Sequence, residues 1–276
     1  DALGRERVES VAIYATRQLL AAGLSESAAN LGYIRRNYAV LSNDYGPLGF
    51  SASHRRGITN RWTGEASVET AKGFGNAGLS SSVLIGNLGV ATVDVRASRF
   101  EHDGIIDRGT LLSTGFESVG DLFSFSIEGI KSSAGYYDLA VVGGDRRPGS
   151  SLLANLSLNL DEIGNFQLTG ARRDQPAYNN SPKNRSTIVS ASYRNSYRGI
   201  NFYADISHDF DRSRSTSMLF GISMALGGRT SAQASVLRQG GNYNYGFAVA
   251  RPDILPGEVG YRVDGSTGVV TILDES

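Results

Sequence analysis

Residues 91–99 read ATVDVRASR, and the fold can be inferred from the pattern of this stretch. Its side chains alternate between apolar and polar at every step. The apolar set is Ala91, Val93, Val95 and Ala97, and the polar set is Thr92, Asp94, Arg96 and Ser98. A period of two puts successive side chains on opposite faces of a β-strand. The stretch therefore predicts a strand with one apolar and one polar face.

The same alternation recurs along the chain in runs that are bounded by Gly, Asn and Asp. Clear runs lie at 122–130, 152–160, 200–210, 218–224 and 243–249. Turn signals lie at 59–60, 86–87, 103–104, 161–164, 227–228 and 240–241. Because these connections are short, neighbouring strands should be antiparallel. We predict roughly fifteen strands, with longer polar loops at 143–150 and 173–184.

Composition excludes several classes of protein. The 27 basic residues are balanced by 27 acidic ones, so the chain has no basic footprint of the kind that binds nucleic acid. There are no cysteines, which removes disulfides, thiolate metal sites and cysteine nucleophiles. The apolar runs are far shorter than the roughly eighteen residues that a transmembrane helix needs. The 34 glycines and 6 prolines indicate many turns.

Two motifs resemble chemical sites, and both fail on geometry. Residues 73–78 match GxGxxG, but a dinucleotide site needs a helix after the glycines, whereas residues 79–85 look like a strand. On a strand, His208 would point away from both Asp205 and Asp209. The three histidines show no metal-ligand spacing. We therefore predict no catalytic residue, metal or cofactor, and a protein that is not an enzyme.

Repeated two-faced strands suit either stacked soluble sheets or one closed sheet in a membrane. In a sandwich the apolar faces form a dry core. In a membrane barrel they contact lipid, while the polar faces line a wet lumen. Nearly every run keeps a strictly polar second face, and the runs match the roughly nine to eleven residues of a spanning strand. The pattern favours an all-β fold, an antiparallel transmembrane β-barrel, over soluble β-sheets.

Charged side chains in the middle of the predicted strands indicate which face meets water. A basic side chain that faces lipid near the midplane costs about 2 kcal/mol or more. If the sheet is a barrel, these residues should line the lumen. The predicted lumen-facing residues are Glu65, Glu69, Asp94, Arg96, Glu128 and Asp205.

The opening of the chain resembles a known family. The stretch at 19–46, LLAAGLSESAANLGYIRRNYAVLSNDYG, contains GYIRRNY and SNDYG, and GITNRWTGE follows at 57–65. These residues resemble the outer-membrane usher proteins of the chaperone–usher pilus pathway. Looser matches are IGNLGV at 85–90 and ALGGRTSA at 225–232. SNDYG and TNRWTGE are similar to the alternate, archaic branch, which exports spore-coat-U-like subunits.

The resemblance implies a pore in the bacterial outer membrane that assembles and secretes pilus subunits. It implies that residues 1–276 are one barrel segment of a larger pore, with a junction after the plug at 1–24 and antiparallel strands at 25–276. It also implies that the N-terminal, plug and C-terminal domains of an usher are absent from this sequence. Expected partners are pilin subunits, periplasmic chaperone–subunit complexes and outer-membrane lipid, with no nucleic acid; a homodimer stays open.

Two other classes of function remain alternatives. One is a different outer-membrane β-barrel, either a porin or an autotransporter translocator. The other is a soluble β-rich adhesin or carbohydrate-binding module.

The face assignment can be tested in the intact protein by cysteine labelling. Cysteines placed at Asp94, Arg96 and Asp205 should react with water-soluble reagents, because the polar face is wet in a barrel. Cysteines placed at Val93, Val95 and Phe202 should not react, since that face contacts lipid. The opposite pattern would overturn the face assignment.

Overall fold

The computed structural model describes residues 19–36, 43–177, 182–211, 215–227, 229–252 and 260–267, and the backbone of 269–275. Two-faced strands fill almost all of these ranges. The strands are β1 (Ser25–Arg35), β2 (Tyr45–Thr59), β3 (Trp62–Ala71), β4 (Phe74–Ile85), β5 (Gly89–His102), β6 (Ile105–Val119), β7 (Phe123–Ser132), β8 (Ser150–Asn159), β9 (Asn165–Gln175), β10 (Asn184–Tyr197), β11 (Ile200–Asp209), β12 (Thr216–Gly227), β13 (Thr230–Gln239), β14 (Asn242–Arg251), β15 (Gly260–Ser266) and β16 (Val269–Glu275). Two short helices complete the described elements, α1 (Leu139–Val142) and a single 3-10 turn (Asp161–Ile163).

Strand order in the sheet follows chain order from β1 to β16. Neighbouring strands pair in antiparallel registers, as in the pairing of Val95 with Leu79 on one side and with Leu112 on the other. The prediction of antiparallel all-β structure is confirmed, and the strand count is sixteen where roughly fifteen were predicted. None of the helices in the described part of the chain is long and apolar enough to cross a membrane.

Turn chemistry sets the hairpins. Asp103 and Gly104 have φ values of 50° and 77°, and Gly240 and Gly241 have 58° and 87°. Positive φ at both central residues defines the two-residue turn whose twist matches the flanking strands, and Asp-Gly and Gly-Gly supply it at low cost. The GxGxxG match begins in the β3–β4 turn, at Gly73 with a φ of 71°, and continues as strand β4. Its reading as a turn followed by a strand is confirmed.

The chain divides into two compact units. The first comprises Asp1–Ser118, Ser126–Leu152 and Arg173–Asn184. The second comprises Val119–Phe125, Leu153–Arg172 and Arg185–Ser276. Residues 1–18 of the predicted junction at 1–24 lie outside the described residues, so the domain boundaries stay a prediction.

In the first unit the alternation is inverted relative to a soluble sheet. On β5, Asp94 is 2% exposed and Arg96 is 5% exposed, while Val95 between them is 51% exposed. On the neighbouring strand β4, Leu79 is 69% exposed. Burial of charge together with exposure of large apolar side chains is the reverse of the usual distribution. The apolar face is therefore the outer surface of this unit, and the polar face is its interior.

In the second unit an aromatic ring lies on a glycine of the next strand. Tyr203 of β11 stands opposite Gly221 of β12. A Cβ atom at position 221 would collide with the Tyr203 ring. The glycine therefore lets the ring lie flat on the polar face, which is a known way for aromatic residues to cover glycines in sheets.

We expect Gly221→Val to destabilise the barrel by about 1–3 kcal/mol, because the added side chain must displace the Tyr203 ring. Gly170→Val is the matched control, since a Cβ atom at Gly170 in β9 meets nothing within 4 Å. The temperature at which the folded barrel loses its fast gel mobility measures both effects. An equal shift for the two variants would contradict the role of the ring.

Candidate functional site

The polar face of the first unit is covered by the connection between β7 and β8. This connection, residues 133–149, is called the cover segment below. It contains α1 and the adjacent tyrosines Tyr136 and Tyr137, both of which are buried. The cover segment hides the charged side chains of β3 and β5 from solvent, and it forms the candidate functional site.

Asn76 of β4 joins the cover segment to the strands. Its side-chain amide lies within hydrogen-bond distance of the Glu69 carboxylate at 3.2 Å, the Tyr136 hydroxyl at 3.1 Å and the Tyr137 carbonyl at 3.3 Å. Glu69 also accepts a hydrogen bond from the Leu139 N–H at 3.3 Å. A single buried amide and carboxylate therefore fix the start of α1 against β3 and β4.

Asp94 and Arg96 form a buried ion pair beneath this layer. The Arg96 Nε donates to Asp94 Oδ2 at 2.8 Å. The two residues are two positions apart on β5, so they share a face. Removing one partner of a buried pair leaves an uncompensated charge, which costs about 3–5 kcal/mol. The two charges are therefore fixed as a unit and do not form an open ionic surface.

Tyr137 is held to the wall by both its backbone and its ring. Its N–H donates to Ser98 Oγ at 2.9 Å, and its hydroxyl donates to Asp107 Oδ2 at 2.9 Å. The guanidinium of Arg147 lies 4.4 Å from the centroid of the Tyr137 ring and also donates to the Tyr137 hydroxyl. His102 approaches the same Asp107 oxygen at 3.2 Å. This cluster attaches Tyr137 and Arg147 of the cover segment at the β5–β6 end of the sheet.

Apolar packing supports these polar attachments. Phe74, Tyr137, Val141 and Val142 form a buried cluster, against which Ile34, Ala71, Phe100 and Leu139 pack. The Phe100 and Tyr137 rings lie 4.8 Å apart between centroids. The cover segment is thus bound by a small hydrophobic core of its own as well as by hydrogen bonds.

Two glycines allow the closest approach between the cover segment and the wall. A Cβ atom on Gly109 of β6 would collide with the backbone of Tyr136, and a Cβ atom on Gly135 would collide with the backbone of Arg108. Only glycine permits the two backbones to lie this close. Because the two backbones lie so close, Leu111, the next residue on the same face of β6, is almost fully buried.

Asp138 begins α1 as its N-cap. Its carboxylate accepts a hydrogen bond from the Val141 N–H at 2.9 Å. Burial raises the pKa of the Asp138 carboxyl above its ordinary value, while hydrogen bonds from the Val141 and Ala140 N–H groups oppose the shift. Burial likewise raises the pKa of the Tyr136 hydroxyl. Burial therefore favours the protonated, neutral form of both side chains.

The predicted site residues separate into two environments. Glu65, Glu69, Asp94 and Arg96 come together on the polar face of the first unit, and Glu69, Asp94 and Arg96 are buried. Glu128 lies on β7 and is half-buried. Asp205 lies in the second unit, where it forms an ion pair with Arg194 at 3.5 Å. That all six line a lumen stays a prediction.

The sequence interpretation missed the cover segment. It treated 143–150 as a polar loop and expected Asp94 and Arg96 to be wet, but both are almost fully buried. Cysteines at these two positions should therefore stay unlabelled while the cover segment is in place. The available signal was the pair Tyr136 and Tyr137 after Gly135 in a connection too long for a hairpin. In the described residues, no three acidic or histidine side chains come together to hold a metal ion.

The fold is that of part of an usher barrel, built as one antiparallel sheet. The structure of the P pilus usher (PapC) translocation pore matches with a TM-score of 0.64 and 18% identity, covering 90% of this chain and 52% of that chain. An E. coli P pilus tip assembly intermediate, PapC-PapD-PapK-PapG, matches with a TM-score of 0.70 and 16% identity, covering 92% and 33%. A crystal structure of the usher PapC translocation pore gives 0.60 and 12%, covering 90% and 57%.

These likenesses confirm the sequence resemblance at the level of the fold. The chain spans about half the length of the first of these PapC chains. No family model matches the sequence, and no curated protein matches it. The assignment to the archaic, spore-coat-U-like branch stays a prediction.

Substitutions at Asp138 should separate the effect of helix capping from the effect of the buried charge. Asn caps a helix as well as Asp does but carries no charge, so Asp138→Asn should hold the cover segment at least as firmly at pH 7. Asp138→Ala loses the cap, which costs about 1 kcal/mol. Protection of the α1 amides from hydrogen exchange measures the attachment.

The effect of pH on this attachment has a fixed sign. Because the pKa of Asp138 is raised in the folded state, the attachment is strongest below the ordinary value of 3.8 and weakens as the pH rises through the raised pKa. The advantage of Asn over Asp should therefore disappear in acid. An advantage that persists unchanged in acid would contradict the role of the buried charge.

Proposed function

We propose that this chain forms part of the wall of a usher pore in the bacterial outer membrane. The complete protein would assemble and secrete pilus subunits that a periplasmic chaperone delivers. The observation that carries the proposal is the match of the sheet to the PapC translocation pore over 90% of the chain, at a TM-score of 0.64. The usher-like residues at 19–46 and 57–65 support it independently.

The inverted faces of the first unit supply the physical support. Large apolar side chains such as Leu79 and Val95 are exposed on one face, and a charged pair lies on the other. Such a sheet is stable when lipid covers the apolar face and closure pairs every backbone group. A soluble adhesin would have to expose this apolar face to water, which favours aggregation or partner binding.

The partners follow from the same proposal. One of the similar structures is an assembly intermediate of PapC with PapD, PapK and PapG. By analogy, the partners of this chain are chaperone-bound pilin subunits, and its surroundings are outer-membrane lipid. The role is transport and requires no catalysis by these residues. A homodimer remains a prediction.

In this proposal the polar face is the wall of the lumen, so the cover segment lies inside the pore. Its attachments to Asn76, Glu69 and Ser98 hold it along the wall. The second unit keeps exposed or half-exposed polar groups on the same kind of face, including Arg194 and Asp205. The polar face of the first unit would therefore be a covered stretch of wall, and the polar face of the second unit an uncovered, wet one.

Deletion of the full-length gene tests the proposal. The cells should lose their surface fibres while chaperone–subunit complexes accumulate in the periplasm, because an usher is the exit route for the subunits. Electron microscopy of the surface and immunoblots of periplasmic extracts give the two readouts. Restoring the intact gene should restore the fibres.

Two results would favour the other classes. Fibres that persist in the deletion strain, together with reduced uptake of small solutes, would favour a porin. A detergent-independent soluble protein without heat-modifiable gel mobility would favour a soluble adhesin or carbohydrate-binding module. Either result would overturn the usher proposal.

A further inference from the structure

The polar face of the second unit carries an aromatic platform, the ring of Tyr203. This ring reaches from β11 to β12 and lies over Gly221, the residue directly opposite. The next positions in the same cross-strand row are Ser235 of β13 and Gly246 of β14, and both are small. Because no tall side chain stands beyond the half-buried ring in this row, one face of the ring stays open.

A small cavity adjoins the platform. It encloses about 320 Å³, at the lower end of the range of about 300–1,000 Å³ that is usual for ligand sites. The side chains that line it on the polar face are Arg194, Ser196, Asn201 and Tyr203, and Asn165 of β9 stands beside them. Asn195 and Phe202 also line the cavity. Alternation turns their side chains to the other face, so they contribute backbone.

The polar groups around the Tyr203 ring include both donors and acceptors. Arg194 stands opposite Tyr203 on β10 and forms an ion pair with Asp205 at 3.5 Å. On the other side of the ring, the Asn201 amide donates to Ser223 Oγ at 3.4 Å. Guanidinium and amide N–H groups thus stand next to carboxylate and amide oxygens. Because Arg194 and Asp205 neutralise each other, the site has no net charge with which to select an ion.

A flat ring surrounded by neutral polar groups fits a sugar of the glucose configuration. In that sugar every ring substituent is equatorial, so C–H groups cover both faces of the pyranose and hydroxyls project from its edge. The C–H groups can pack on the negatively polarised face of an aromatic ring. The hydroxyls then lie in the plane where donors and acceptors are needed. An axial hydroxyl, as in mannose, interrupts one of these faces, and a folded protein domain is too large for the cavity.

We infer that the Tyr203 platform binds one pyranose unit of a gluco-configured oligosaccharide. The sugar stacks on the open face of the ring, and its hydroxyls bond to Arg194, Asp205 and Asn201. Linear chains of the cellulose type suit the site, because such chains are flat ribbons. The inference goes beyond the proposed pore function and does not depend on it, since it uses residues of the second unit alone. It gives Asp205 a ligand as well as an ion-pair partner.

The experiment uses the complete protein, purified in detergent as a folded barrel. Saturation-transfer NMR with cellotetraose and with α-linked mannotetraose identifies the sugar protons that contact the protein, and titration gives the two values of Kd. Cellotetraose should bind at least fivefold more tightly than mannotetraose. Its ring C–H protons should receive the most saturation, because they face the aromatic ring.

Variants at the platform separate the ring from its polar neighbours. Tyr203→Ala removes the ring and should weaken cellotetraose binding about tenfold, the usual effect of losing one aromatic contact. Tyr203→Phe keeps the ring and should retain most of the affinity. Asn201→Ala removes a hydrogen-bonding group and should weaken binding severalfold.

Tyr245→Ala is the matched control, because Tyr245 is an exposed tyrosine on the apolar face of β14. This variant should leave cellotetraose binding unchanged. Heat-modifiable gel mobility, recorded for every variant, reports whether the barrel is folded.

Four outcomes would overturn the inference. The first is equal affinity for the two tetrasaccharides, or binding of neither. The second is unchanged binding by a folded Tyr203→Ala barrel, and the third is an equal loss caused by Tyr245→Ala. The fourth is tighter binding of an unstructured peptide rich in Ser and Asn, lost in Tyr203→Ala, which would assign the platform to exported polypeptide. Loss of surface fibres in the deletion strain is a separate readout, so failure of this inference and failure of the usher proposal are distinguishable.

Discussion

The sheet depends on one constraint: charged side chains in the middle of a strand stay off the apolar face. The Asp94–Arg96 pair shows how the chain meets it, since both charges lie on the side of β5 that is away from Val93 and Val95. Slipping the register by one residue would send both charges to the outer surface and the valines to the interior. The constraint therefore fixes register and face together in the middle of β5, whereas Arg99 and Glu101 share the face of Val93 and Val95 only near the end of the strand.

Covering the polar face adds a second layer to this scheme. In a simple barrel the interior charges would be solvated, but in the first unit they meet Asn76, Tyr136 and the start of α1. Buried polar groups are stabilising only when each has a partner. The cover segment supplies such partners, and its own hydrophobic cluster offsets the entropy lost when a seventeen-residue connection becomes ordered. The cover segment is thus attached to the sheet by hydrogen bonds and by a small hydrophobic core.

Most of the fold could be predicted from the sequence, because period-two alternation is a local property. The run at 91–99 lies within β5, and the run at 200–210 overlaps β11 to within one residue. The turns at Asp103-Gly104 and Gly240-Gly241 were equally visible, since those residue pairs favour positive φ. The candidate site was predictable only in part. The alternation along each strand shows which residues share the polar face. It does not show that a distant connection folds back over Asp94 and Arg96, because that depends on long-range contacts.

The close contact between Gly109 and Gly135 has a consequence for how this protein can vary. Each glycine faces the backbone of the residue next to the other, so neither can gain a side chain unless the cover segment lifts from the wall. The two positions are thus coupled although they lie 26 positions apart in the chain. Among relatives, they should be glycine together or be replaced together, and a lineage that loses both should also lose the burial of the charged pair beneath.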